Sequence, residues 1–281
     1  MNEVQSFLLE DQGIRGALVR LNETWRQIIA QHQYPVEVRR LLGESVAATV
    51  LLASGLKGHP KVSIQLQGEG PLRLLLIQCA ADLKVRGMAH WQSFAKGDAL
   101  LGEGRLAVTL DTGGRNGLFQ GIVPLVSTDL DACLEAYFRQ SEQLATRIIL
   151  EAGAGHIGGL ILQMLPGHEP DLDSFERAAG LAKRVTAAEL LDESAETLLP
   201  RLFSEHLIRL FSPKPVLHDC RCTPDHLAGI ARMLGQQELA SILADEGAVE
   251  LTCEFCNRAF RYDADDVETI LRGDTPEPLL H

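Results

Sequence analysis

Four of the six cysteines fall in two short stretches near the C-terminus, "HDCRCTPDHL" and "LTCEFCNRAF". They read as Cys220-x-Cys222, thirty intervening residues, and Cys253-x-x-Cys256. A segment of about 60 residues has little core of its own, so the chemistry of those sulfurs constrains how this end of the chain folds. Disulfides, a structural metal site, catalytic thiols and a sensor are the possibilities. Four thiolates in two close pairs are the donor set of a tetrahedral zinc ion, at Zn–S distances of about 2.3 Å. A gap of one or two residues lets both sulfurs of a pair reach one ion from a tight turn, and Asn257 tolerates the left-handed backbone such a turn requires. Between the pairs, Thr223 is placed to cap and Pro224 to start a helix, Gly235 interrupts it, and "QQELASILADEG" predicts a second helix ending at Gly247. Cys220, Cys222, Cys253 and Cys256 are therefore expected to hold one zinc ion per chain. His218 and His226 are rival ligands by position, but four cysteines complete the tetrahedron. Cys79 and Cys133, in apolar surroundings, are expected to be small buried core residues.

Compartment supports metal or redox chemistry over stable disulfides. The opening stretch "MNEVQSFLLEDQGIRG" carries acids where an export signal carries positive charge, and it lacks a sustained apolar core. The most apolar run, "PLRLLLIQCA", contains Arg73 and is about half the roughly 20 residues of a membrane helix. A cytoplasmic protein without membrane attachment is expected, and there clustered cysteines more often bind metal or act in redox chemistry. The formal charge of -12, from 26 basic against 38 acidic residues, argues against nonspecific attraction to nucleic acid or anionic membranes.

With 281 residues, 46% of them hydrophobic, the chain can bury a sizeable core. Residues 15 to 57 read as helical, with Leu18, Leu21 and Trp25 at helical spacing and "EVRRLLGESVAATVLLASGL" as a second helix closed by Lys57-Gly58-His59-Pro60. The period then becomes two. Val62, Ile64 and Leu66 alternate with polar residues, Gly68-Glu69-Gly70-Pro71 turns the chain, and Leu72 to Ile77 returns. Further strands are expected at "LKVRGMAHW", "GRLAVTLDTGG", "LFQGIVPL" and "ATRIILEAG", with a helix through "LDACLEAYFRQSEQ" capped by Ser127-Thr128-Asp129. From about Ser174 to Phe211 the pattern is one of short acidic amphipathic helices, less firmly packed than what precedes them. Thr186-Ala-Ala-Glu189 has capping-box spacing, Pro200 breaks the run, and Ser212-Pro213-Lys214-Pro215 makes an extended connector. The expected fold is α+β: a mainly antiparallel sheet core with packed helices (residues 1–171), a helical linker (172–215) and a small C-terminal zinc-binding domain (216–281).

The cysteine arrangement resembles the redox switch of the Hsp33 family of heat-shock chaperones. The resemblance extends along the chain, since "LLGESVAATVLLASGLKG", "QLQGEGPLRLLLIQC", "QGIVPL", "YFRQSEQLATRI", "LILQMLP" and "LFSPKPVLHDCRC" are similar to successive family segments in family order. One looser point is "HDCRCTPDH", where family members more often carry a Ser-Arg pair after the second cysteine. The resemblance implies an ATP-independent holdase with no catalytic residues, inactive while reduced and zinc-bound. It also implies that oxidation forms the disulfides Cys220–Cys222 and Cys253–Cys256 and releases zinc, and that the linker then unfolds, exposing apolar surface for unfolding client proteins and favouring a homodimer. The leucines Leu190, Leu191, Leu198 and Leu199 on short acidic helices are consistent with a marginally stable linker.

Two other patterns point to different functions. "LAVTLDTGG" contains the apolar-apolar-Asp-Thr-Gly pattern of aspartic proteases, whose chemistry needs two such carboxylates, yet only one copy occurs and Asp111 reads more simply as the end of a strand before a Gly-rich turn. A nucleic-acid-binding protein with a zinc module is the stronger alternative. Residues 217 to 281 hold five arginines and no lysine against thirteen acids, a net of -8, the wrong sign for a phosphate-contacting surface.

Overall fold

The computed structural model describes residues 1–56, 58, 60–95, 97, 99–113, 117–165, 171–220, 222–274, 279 and 280. The chain opens with an antiparallel hairpin, β1 (Asn2–Leu9) and β2 (Ile14–Leu21), followed by α1 (Glu23–Ile29) and α2 (Val36–Ser54). Leu18 and Leu21 therefore lie on a strand, and of the three residues that marked the expected first helix only Trp25, in α1, is helical. The reason is burial: β2 sits between two other strands and is covered on both faces, so apolar residues occupy nearly every position and period two is erased. α2 ends at Ser54 with Gly55 as its cap; Lys57 and His59 of the expected stop lie outside the described residues.

The next strands run β3 (Lys61–Gly68), β4 (Leu72–Cys79), β5 (Lys84–Trp91), β6 (Gly104–Asp111) and β7 (Leu118–Pro124), with α3 (Leu130–Tyr137), β8 (Thr146–Ala152) and β9 (Ile157–Met164) after them. Residues 114–116 of the expected Gly-rich turn lie outside the described residues. A π-helical turn, Phe138–Glu142, extends α3. Three short helices follow, α4 (Leu172–Ala182), α5 (Ala187–Asp192) and α6 (Ala195–Leu202), then β10 (Ile208–Leu210), β11 (Lys214–Pro215) and β12 (Leu217–His218). The fold is α+β, and the strands to this point form two sheets. In the first, the order is β10-β1-β2-β9-β8 with β11 also on β1; in the second it is β12-β5-β4-β3-β6-β7. Every pairing is antiparallel except β12 on β5.

α2 lies between the sheets. Its residues Val38, Leu42, Val46, Val50 and Leu51 pack with Ala17, Val19 and Ile161 of the first sheet and Val62, Ile64 and Ile77 of the second. This two-sided burial explains why the helix is apolar almost all round. The other face of the first sheet has its own cluster: Phe7, Leu9, Ile14, Leu18, Leu160 and Leu162 are covered by Phe175, Ala178, Ala179, Leu190, Leu198, Leu199 and Phe203 of the segment read as a linker.

That segment holds both correct expectations and surprises. Thr186 and Glu189 form the capping box, with the Glu189 carboxylate accepting from Thr186 N–H at 2.8 Å and Thr186 Oγ1 from Glu189 N–H at 3.3 Å. Pro200 does not break the run. It lies inside α6, which ends two residues later, because its only backbone loss is one hydrogen bond near a short helix's end. Phe175, Ala178, Leu190, Leu198 and Leu199 of α4 to α6 are buried, while Leu191 is half-buried and Leu172 exposed. Beyond them Ile208–Leu210 pairs with β1 where helix was expected, and the proline-rich connector is extended and paired as β11.

The chain divides into two compact units, Met1–Asp219 and Cys220–His281. The second contains α7 (Pro224–Leu234), α8 (Gln236–Glu246), the hairpin β13 (Val249–Thr252) and β14 (Ala259–Tyr262), α9 (Ala264–Arg272) and β15 (Leu279–Leu280) on β14. Among the described residues no helix is long and apolar enough to cross a membrane.

Candidate metal centre

The second unit folds where its local signals direct. Thr223 Oγ1 accepts from the N–H of His226 at 3.2 Å, Pro224 occupies the first turn of α7, and the chain passes Gly235 at φ 86° and Gly247 at φ 75°. α7 and α8 thus form the expected helical pair. The β13–β14 turn is a knuckle: Cys253 N–H donates to Arg258 O at 2.9 Å and Asn257 N–H to Cys253 O at 2.7 Å, with Asn257 in the left-handed region at φ 53°. Tyr262 is fully buried, and its hydroxyl donates to Pro224 O at 3.2 Å, tying the end of the hairpin to the start of α7.

This arrangement brings the four sulfurs together. The Sγ atoms of Cys220, Cys222, Cys253 and Cys256 all lie within 4.8 Å of one another, with Cys220 and Cys253 at 3.5 Å and Cys222 and Cys256 at 3.2 Å. Four sulfurs around one ion at about 2.3 Å sit about 3.8 Å apart, so the donor set and its spacing fit a tetrahedral thiolate site. All six cysteines are free. The metal-capable group contains neither His218 nor His226.

The sulfurs are electrostatically unequal. A hydrogen bond from Cys220, with further donation from the backbone N–H groups of Cys256 and Phe255, holds the Cys253 thiol below its usual range. The same contact with Cys253, reinforced by burial, pushes Cys220 up, and burial followed by the contact with Cys256 pushes Cys222 up. Crowded thiolates repel one another, and a cation at their centre relieves that repulsion. Around them the core is small: Leu227, Ala228, Ala231, Leu239, Val249, Phe260, Tyr262, Val267 and Ile270 are buried with Cys222 and Cys253 themselves.

The other singled-out residues behave as structure. Cys79 is buried in β4, where desolvation pushes its thiol up to about 12, and Cys133 is buried on α3. The Asp111 carboxylate accepts from Gly113 N–H at 3.0 Å, as a turn residue does.

A family model described as Hsp33 protein matches residues 2–263. The chain belongs to the Hsp33 family. Among its relatives, the 33 kDa chaperonin of Nitrosococcus oceani is 39% identical over 281 residues, covering 99% of this chain and 97% of that protein. The 33 kDa chaperonin of Cronobacter sakazakii is 36% identical over 289 residues, covering 100% and 99%. The fold matches the crystal structure of the 33 kDa chaperonin, a heat shock protein 33 homologue, of Thermotoga maritima. The TM-score is 0.81 at 21% identity, over 97% of this chain and 99% of that one. Hsp33 membership makes the chain a chaperone, and the four-cysteine cluster is suited to zinc and redox chemistry.

Two residues with a part in this Hsp33 fold escaped the sequence reading. Arg20 is buried within β2 and donates to the carbonyl of Glu193 between α5 and α6; a charged residue inside "GALVRLN" was the available signal. Gly158 in β9 lies against the Leu190 backbone of α5, and the pair Gly158-Gly159 inside an apolar strand signals such a close approach.

Proposed function

We propose that the chain is a redox-regulated, ATP-independent holdase whose switch is the cluster Cys220, Cys222, Cys253 and Cys256. One zinc ion held by these sulfurs would keep them as thiolates and lend the module on the order of 10 to 16 kcal/mol of folding free energy. The observation that carries the reading is the sulfur cluster itself, four free cysteines drawn together in a unit with little other core. Oxidation pairs Cys220 with Cys222 and Cys253 with Cys256. Two S–S bonds form, and the four electrons pass to two equivalents of an oxidant such as hydrogen peroxide, which take up four protons from solvent and leave as water, so the ligand set is lost with the thiolates. The module then unfolds.

In this reading the chain has three working parts: a core (1–171), a linker (172–215) and the switch (216–281). The linker's role is supported by what it covers, an apolar sheet face with Phe7, Leu9, Leu18, Leu160 and Leu162 beneath α4 to α6. Uncovered, that face would hold unfolding client proteins and favour a homodimer. The protein works in the cytoplasm, without nucleic acid or membrane as partner.

The test measures zinc content and suppression of aggregation of a heat-denatured client, before and after peroxide or hypochlorite with mild heat. Release of one zinc per chain together with a gain in suppression is expected. Equal suppression in both states with zinc retained would overturn the proposal.

A further inference from the structure

Beside the C-terminal end of α2, between residues of β2 and β9 on one side and β6 on the other, the first unit has a solvent-open cavity of about 620 Å³. Its walls are apolar, with Leu51 of α2, Val108 and Leu110 of β6, Phe138 of the π-helical turn and Ile161 of β9 among them. The volume falls within the roughly 300 to 1,000 Å³ of small-molecule sites, which are mostly apolar with a few placed polar groups.

Arg15, half-buried on β2, is the single cation among the described lining residues. Its guanidinium donates from Nη1 to Gly55 O at 3.1 Å and from Nη2 to Gln163 Oε1 at 2.8 Å. Both partners are neutral, and among the described residues no carboxylate offsets its desolvation. Glu142, the one acid of the lining, is exposed at the rim and accepts from the Tyr137 hydroxyl at 2.9 Å. A guanidinium partly drawn out of water is ordinarily paired with an anion, and among the described residues the Arg15 guanidinium has only neutral hydrogen-bond partners.

We propose that the cavity binds a free fatty acid, with its carboxylate on the Arg15 guanidinium and its chain among the apolar walls. One cation matches one monoanionic head, and the fork of a guanidinium suits a carboxylate. An acyl chain needs no hydrogen-bonding partners. An extended peptide would leave backbone N–H and C=O groups unpaired against these walls. The site is separate from the sulfur cluster and stands whether or not the redox reading holds.

The full reduced chain is titrated with fluorescent cis-parinarate, then with two competitors of one chain length and opposite head charge, dodecanoate and dodecyltrimethylammonium. Saturable one-to-one binding is expected, with dodecanoate at least about tenfold the better competitor, since a charge-assisted hydrogen bond contributes about 1.5 to 3 kcal/mol. Arg15→Gln should abolish that preference, and Leu110→Trp, which fills the cavity, should abolish parinarate binding. Equal competition by the two amphiphiles overturns the proposal, and so does unchanged binding in Leu110→Trp. Because the competition is read on the wild type, it decides even if a variant fails to fold. Retention on phosphatidylglycerol vesicles without one-to-one parinarate binding would instead assign the surface to lipid and overturn the free-acid reading.

Discussion

The backbone carbonyl of Leu190 lies so close to Gly158 that a Cβ built there would come within 2.6 Å of it. The first turn-and-a-half of covering helix after Thr186 therefore rests directly on strand β9, with only a hydrogen between. Gly158→Val must lift α5 from the sheet, at a cost of about 1 to 3 kcal/mol. Faster amide exchange across Ala187–Asp192 is expected, with measurable holdase activity in the reduced chain. Unchanged exchange in that helix would show that the contact does not govern docking.

Arg20, opposite Gly158 on the neighbouring strand β2, fastens the same segment. It is 5% exposed, donates to the Glu193 carbonyl and lies 3.6 Å from Glu3. Arg20→Gln keeps a donor but loses the charge and the reach, so a loss of about 2 kcal/mol is expected. Thermal unfolding should show a lower midpoint, and limited proteolysis an earlier cut within residues 183–195.

Removing the metal should affect the two units unequally. Both tryptophans, Trp25 and Trp91, lie in the first unit, whereas the sulfurs lie in the second. A strong chelator, or Cys253→Ser, should therefore reduce helical circular dichroism while leaving tryptophan emission unchanged. Loss of both signals together would mean that the units do not fold separately.

Glu44, buried on α2 beneath the salt bridge from Arg40 at 2.9 Å, gives the core a pH dependence. Its carboxyl is raised from 4.5 to about 7, chiefly by burial, with Arg40 pulling it down and Asp131, Glu151 and Asp129 adding to the rise. A carboxyl whose folded value is raised contributes stability below the unfolded value, and this is lost as pH climbs through the folded value. Stability should thus fall between about pH 4.5 and 7 from this group. Glu44→Gln should melt a few degrees higher than wild type at about pH 8, with the difference vanishing near pH 4. Calorimetry at the two pH values checks the sign.

Legibility in the sequence followed the range of the interactions involved. The β3–β4 hairpin, the Thr186 capping box, the Thr223 cap and the Asn257 turn are decided by neighbouring residues, and each could be read directly. The four cysteines were equally plain, because their donor type and spacing carry the chemistry. β2 was not legible: a strand covered on both faces loses the alternation that betrays a strand. The docking of α4 to α6 and the cavity beside Arg15 depend on residues more than a hundred positions apart, which no local pattern encodes.

The covering helices are held at both ends. Residues 165–207 lie between β9 and β10, and both strands belong to the same sheet. When the helices melt in the proposed activation, the segment becomes a closed loop of about 40 residues, which gains less freedom than a released tail of equal length. Its return is intramolecular and needs no encounter in solution. A chaperone built this way can let go of its client and re-cover the sheet within one chain, and a single proteolytic nick inside that loop would cost it the ability to reset.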